Sequence, residues 1–252
     1  PGNLPRPHGA YDPRRHRARD ESADAVSLPP LHFWGVTGAL APLQGGHRNQ
    51  VFKLTRPDGD LVFKATRRSA DALAWVQDVM TRLGPDLCAP AIKPSLSGHL
   101  IERGWTCEPF IRGSTLSKEQ AQQVKLPALK APQRPGFITT AALCDADVSG
   151  DIALGVMPDN IVAACRAAWQ PLKDMPTRVV HGDLNPSNLI GRRDGRICLI
   201  DWEEARVDAQ VFAHPAPTLS PALAKARTAF EVAACWQSEP EHARHLAKSL
   251  TW

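Results

Sequence analysis

His181-Gly182-Asp183, Asn188 five residues past that aspartate, and Ile200-Asp201-Trp202 are the residues of this chain whose types and spacing could do chemistry. A loop carboxylate such as Asp183 can accept a proton from a hydroxyl. A carboxamide oxygen from Asn188 and a carboxylate from Asp201 suit Mg²⁺, which takes one or two protein oxygens and completes its shell with water and phosphate. Together these groups are the minimum needed to move a phosphoryl group from a nucleotide to a hydroxyl. His181 is expected to orient the loop through hydrogen bonds.

Local sequence says how these groups would meet. Leu189 and Ile190 are apolar, Gly191-Arg192-Arg193-Asp194-Gly195 is a turn cluster, and residues 197–200 read as a short buried strand. A hairpin returns its two ends to one place. Asn188 at its entrance and Asp201 at its exit should therefore be neighbours, with Asp183 on the loop feeding them. Singly, each Asp or Asn is more often a turn former or cap; the ordered set carries the reading.

Upstream, Gly45-Gly46 precedes an alternating strand through Val51 and Leu54. Pro57-Asp58-Gly59-Asp60 turns the chain, and Leu61 to Thr66 returns it with Lys64 inside. Two glycines let a backbone turn approach phosphate oxygens, and a lysine on the next strand supplies a point charge for them. Alone, such a pair is more often a plain hairpin entry, and such a lysine a solvated edge charge. Residues 69–83 read as a helix capped by Ser69 and stopped by Gly84-Pro85. A phosphate-binding lysine needs an acidic partner there. The helix has no Glu, so Asp71 and Asp78 are the candidates, and the choice between them stays open. Residues 100–113 read as two strand-like pieces about Gly104.

His-Gly-Asp, Asn188 and Ile-Asp-Trp resemble the aminoglycoside phosphotransferase and choline kinase superfamily of small-molecule kinases. The resemblance implies an α+β, two-lobed, protein-kinase-like fold with a small antiparallel-sheet lobe and a mainly helical one. It implies ATP and Mg²⁺ as cofactors and a small-molecule hydroxyl acceptor as partner. Gly45, Gly46 and Asn49 would form the phosphate loop. Residues 108–111 would cross between lobes at the adenine edge, making Glu108 and Phe110 cofactor contacts. The expected boundaries are a tail over 1–30, a lobe over 31–107, a hinge over 108–113 and a lobe over 114–252.

The chain departs from that pattern twice. The helix lacks its Glu, and Val211-Phe212-Ala213-His214 has no carboxylate where relatives often carry an Asp, ahead of a helix that braces the catalytic loop. A nucleotide-binding pseudokinase without turnover is the alternative these gaps motivate. A protein kinase is disfavoured by His-Gly-Asp and by the lack of an Asp-Phe-Gly to Ala-Pro-Glu segment. Near the C-terminus Glu231, Glu239 and Glu241 are surrounded by Lys225, Arg227, Arg244 and Lys248, a poor wall for a polycationic aminoglycoside.

Composition fits one enzyme of ordinary core size: 252 residues, 43% hydrophobic, net charge +4. No apolar run could span a membrane. Six scattered cysteines without ligand spacing read as free thiols of a reducing, cytoplasmic compartment. The Pro-, Arg- and His-rich start, up to about residue 30, reads as a disordered tail. Without aromatic interleaving or a folded basic surface it argues against a nucleic-acid partner. Helices are expected over 159–172 and in two pieces over 221–250, broken at Gln237 to Pro240.

Overall fold

The computed structural model describes residues 28–43, 50–213 and 219–250. Gly45, Gly46, Asn49, His214 and the expected tail through residue 27 lie outside the described residues. Residues 28–30, assigned to that tail, already belong to the packed chain: Pro29 is buried, and its carbonyl accepts from the Leu31 N–H at 2.9 Å.

The first elements are β1 (Leu40–Pro42), β2 (Val51–Leu54), β3 (Leu61–Ala65), α1 (Ala70–Met80), β4 (Leu87–Cys88) and β5 (Trp105–Pro109). Then come β6 (Ser114–Thr115), α2 (Lys118–Gln123), β7 (Val148–Ser149), β8 (Ile152–Ala153) and α3 (Asp159–Trp169). The last are β9 (Thr177–Val180), β10 (Leu189–Gly191), β11 (Ile197–Leu199), β12 (Arg206–Ala209), α4 (Pro221–Cys235) and α5 (Pro240–Ala247).

An antiparallel sheet in the order β1-β2-β3-β5 forms the first layer. Its buried face gathers Trp34, Phe52, Leu54, Leu61, Phe63 and Trp105. Helix α1 starts where expected, because the Ser69 Oγ accepts from the Ala72 N–H at 3.2 Å and satisfies one of the orphan donors of the first turn. Its stripe of Trp75, Val76 and Val79 packs with Leu189, Leu199 and Trp202. The helix thereby rests on the hairpin of residues 189–199 rather than on the sheet from which it emerges.

That hairpin, β10–β11, is the centre of a second sheet, β4-β11-β10-β6. The two-residue β4, which the sequence did not announce, pairs parallel with β11 and sets Cys88 beside Cys198. The Leu100-Ile101 piece is not a strand; only Glu102 bridges to Trp105 across a turn at Gly104. The helical layer packs Leu143, Leu154, Trp169 and Leu172 against Ala226, Ala229 and Val232 of α4. Ser220 caps α4, accepting from the Leu223 N–H at 3.4 Å.

A buried ion pair within β12 ties that strand to the segment at Thr140. β12 pairs antiparallel with β9, the strand that delivers His181. On it the fully buried Asp208 accepts from the Arg206 Nε at 2.7 Å, the Thr140 N–H at 2.9 Å and the Ala209 N–H at 2.8 Å. The Arg206 guanidinium lies 4.0 Å from the centre of the Phe230 ring.

Candidate active site

The loop between β9 and β10 needs a glycine. Gly182 lies at φ +87°, and a Cβ on it would fall on the Glu204 carbonyl. Only a residue without Cβ allows both the left-handed backbone and this close approach, which is the physical reason for His-Gly-Asp. His181 is fully buried, and its Nε2 donates to the Ile200 carbonyl at 2.9 Å. The loop is thus tied to the hairpin exit. Burial pulls the imidazole below its usual pKa against the attraction of Asp183 and Asp201, so it is neutral. Its edge meets Trp202, with ring centres 4.7 Å apart.

The hairpin brings its ends together as its turn chemistry required. Leu189 faces Leu199, and the Ile200 N–H donates to the Asn188 carbonyl at 3.0 Å. Asn188 is 8% exposed, and its Nδ2 donates both to the Asp183 carbonyl and to the Asp183 Oδ2, each at 2.9 Å. With its nitrogen committed to two oxygen acceptors, the amide orientation is fixed, and Oδ1 is the atom left for a cation. Asn185 Nδ2 donates to the other carboxylate oxygen of Asp183 at 2.9 Å. The carboxylate is therefore held at both oxygens while the residue itself stays exposed. Asp201 is at φ 64°, one of two non-glycine residues with positive φ among those described. That conformation costs about 1–2 kcal/mol, and it ends β11 and begins the turn Trp202–Glu204.

Lys64 reaches the same place from β3, within the electrostatic reach of Asp201 and Glu203. Its partner is not on α1. The Lys64 Nζ lies 3.1 Å from the Glu108 Oε2, both side chains largely buried. Burial alone would lower the ammonium pKa, but Glu108 and Asp201 outweigh it and raise it. Asp71 is exposed at the start of α1, and Asp78 pairs with Arg82 at 3.0 Å. The expectation of a helix acid is thus corrected. Register explains it: Val62 opposes Glu108 and Lys64 opposes Thr106, so Lys64 and Glu108 are diagonal neighbours on one face of the sheet.

Phe110 is engaged elsewhere. Its N–H donates to the Asp60 carbonyl at 2.9 Å, and its ring centre is 4.1 Å from the Lys53 Nζ. Its N–H is therefore unavailable to a purine edge. Asp60 itself, 7% exposed, binds Lys53 and Arg112, each at 3.1 Å, and so fastens the crossing segment to the β2–β3 turn.

Sequence reasoning missed three polar contributors. Arg134, 1% exposed, donates from Nη1 to the Glu203 and Ala205 carbonyls, each at 2.8 Å, and from Nε to the Ala72 carbonyl at 3.2 Å. Arg68 forms a two-pronged pair with Asp151, at 2.9 and 2.7 Å, and reaches Glu204 at 3.3 Å. Glu203 is pushed up to about 7 by burial and by Asp201, against the pull of Lys64 and Arg68. Only Glu203 carried a signal, as an acid beside the Ile-Asp-Trp segment. A cavity of about 450 Å³ opens beside it, between the β3–α1 connection, the β7–β8 hairpin and the end of α4.

Residues 131–212, which include this loop and hairpin, match the family model described as the phosphotransferase enzyme family. The structure superposes with a TM-score of 0.57 on aminoglycoside phosphotransferase APH(4)-Ia in a ternary complex with AMP-PNP and hygromycin B, at 16% identity over 88% of this chain and 96% of that one. The fold is that of the aminoglycoside phosphotransferases and choline kinases. Choline kinase LicA from Streptococcus pneumoniae gives a TM-score of 0.56 at 13% identity, covering 84% of this chain and 92% of that one. Spectinomycin phosphotransferase APH(9)-Ia, in complex with ADP and spectinomycin, gives 0.51 at 10% identity, covering 87% and 91%. No curated protein matches the chain. The protein-kinase-like α+β architecture expected from the catalytic motifs is therefore present.

Within this phosphotransferase fold, Glu108 replaces the helix acid, and that substitution can be tested. Glu108→Gln should raise the KM for ATP roughly 10-fold, about 1.4 kcal/mol, with a smaller change in kcat. Asp71→Ala and Asp78→Ala should leave both constants within about twofold, since surface changes of this kind seldom exceed ~0.5 kcal/mol. Steady-state kinetics in ATP decides. A Glu108 variant with unchanged or lower KM would show that the pair does not position Lys64 for phosphate.

Proposed function

We propose that this chain is a kinase that transfers the γ-phosphoryl group of ATP to a hydroxyl of a small polar molecule. The observation that carries the reading is the close approach of Asp183, Asn188, Asp201 and Lys64 to one another, with the loop held by the His181 and Asn188 hydrogen bonds. Asp183 takes the acceptor's proton as the hydroxyl oxygen attacks the γ-phosphorus, and ADP leaves. Lys64, fixed by Glu108, meets the phosphate oxygens. Asn188 Oδ1 and the Asp201 carboxylate would hold Mg²⁺, whose charge offsets that of the phosphates. Among the described residues no group of three His, Cys, Asp or Glu side chains forms a self-sufficient metal site. Two oxygen donors that need a nucleotide to complete the shell fit Mg²⁺ in that role.

One of the gaps that favoured a pseudokinase has a local substitute. Glu108 supplies the acid α1 lacks. That pairing supports turnover over binding alone. No helix among the described residues is long and apolar enough to cross a membrane. The deciding experiment is an ADP-release assay of the full chain with Mg·ATP over a panel of hydroxyl compounds. Acceptor-dependent release that EDTA stops and Asp201→Ala reduces at least ~100-fold is expected. Mg·ATP binding without release for any acceptor would leave the pseudokinase.

A further inference from the structure

The cavity beside Glu203 has a charge inventory that selects among acceptors. Arg68 in its wall is spent on Asp151, through both guanidinium nitrogens, and on Glu204. Asp151 has both carboxylate oxygens on Arg68. Glu203 lies within electrostatic reach of Lys64 and Arg68. Arg67, by contrast, is exposed on the cavity wall and has no hydrogen bond or ion pair among the described residues. Gln237 and Ser238, past the end of α4, add neutral polar groups to the opposite side. A cationic amine entering here would find Asp151 already paired with guanidinium at both oxygens and would approach Arg67, an unfavourable like charge. An anionic group would meet an uncommitted cation able to grip it with two parallel N–H bonds.

The cavity wall is also linked to the loop that carries Asp183. The Glu204 side chain in contact with Arg68 belongs to the residue whose carbonyl abuts Gly182, one position before Asp183. Glu203 is two positions past Asp201. At about 450 Å³ the space is large enough for a small metabolite.

From this juxtaposition we propose that the cavity is the acceptor site and that it takes a small hydroxyl compound bearing a carboxylate or phosphate, bound through Arg67, and discriminates against amines. The proposal deepens the kinase reading and rests on it for turnover, but not for binding.

The test uses matched probes with the full chain. D-Glycerate and D-gluconate are compared with glycerol and D-sorbitol, which lack the carboxylate, with glycerol 3-phosphate, which replaces it by phosphate, and with ethanolamine and kanamycin as cations. Binding is followed by calorimetry without nucleotide, and turnover by ADP release with Mg·ATP. Anionic probes should bind at least ~10-fold more tightly than their neutral counterparts. Arg67→Gln should remove that preference, and Arg67→Lys should restore part of it. Where an anion is turned over, Arg67→Gln should raise its KM at least ~10-fold while leaving the KM for ATP within about twofold. The glycerate and glycerol 3-phosphate arms tell carboxylate from phosphate. Arg67-dependent anion binding with no turnover of any probe would support the site and count against the kinase. Turnover confined to neutral or cationic acceptors would support the kinase and overturn the site. Absence of Arg67-dependent anion binding overturns the proposal outright.

Discussion

Asp183→Ala should lower kcat by about 10²–10⁴, the usual contribution of a positioned general base, while Mg·ATP binding stays within a few-fold of the parent. The carboxylate is exposed at the cleft yet held at both oxygens, by Asn185 and Asn188. It is therefore already oriented before a hydroxyl arrives. Removing it also frees the Asn188 amide from one of its two acceptors, so a small loss of Mg·ATP affinity accompanies the loss of rate. Asp183→Asn separates the two effects: it keeps the shape and an amide oxygen for Asn188 but cannot accept the proton, and its kcat should fall to a similar level. Single-turnover kinetics with saturating ATP, beside a thermal-shift titration with Mg·ATP, makes the comparison. A rate near that of the parent in either variant would remove Asp183 from the mechanism.

The largest expected loss of stability comes from a residue that touches no substrate. Asp208→Ala would strip the counter-charge from an arginine that is 1% exposed, and would leave the Thr140 and Ala209 N–H groups without their acceptor. Breaking a buried pair on one side costs about 3–5 kcal/mol, because the remaining charge is left uncompensated. Against a total of roughly 5–15 kcal/mol for a typical domain, that is a large fraction. At ~2–4 °C per kcal/mol for a chain near this size, Tm should drop by roughly 6–20 °C. The double variant Asp208→Ala with Arg206→Met should recover part of the loss, since a thioether can fill the space between Phe212 and Phe230 without a charge. A calorimetric Tm within 2 °C of the parent for Asp208→Ala alone would mean that Arg206 finds other partners.

The catalytic hairpin was legible because everything that makes it is local. Turn residues, two apolar runs and the flanking Asn188 and Asp201 lie in one contiguous stretch, and antiparallel pairing leaves little freedom in where the ends go. The caps at Ser69 and Ser220 were legible for the same reason. The partner of Lys64 was not. Glu108 meets it only through the β3–β5 register, which depends on which strands pair and not on any neighbouring residue. Reasoning from the helix alone led to Asp71 and Asp78, neither of which pairs with Lys64. Arg134 was hidden differently. It sits among prolines in a stretch without helical or strand period, and its partners are main-chain carbonyls, which leave no mark on residue types. Asp208 stood in plain sight two residues after Arg206. A buried acid on a strand looks, in sequence, like a solvated one.

Arg134 has a mechanical consequence. One side chain grips the backbone of α1 at Ala72 and the backbone just beyond Asp201 at Glu203 and Ala205. Swinging that helix outward would pull the guanidinium off the Ala72 carbonyl or off the other two, beside Trp75 and Phe137. A helix strapped in this way moves together with the segment that follows Asp201, not apart from it.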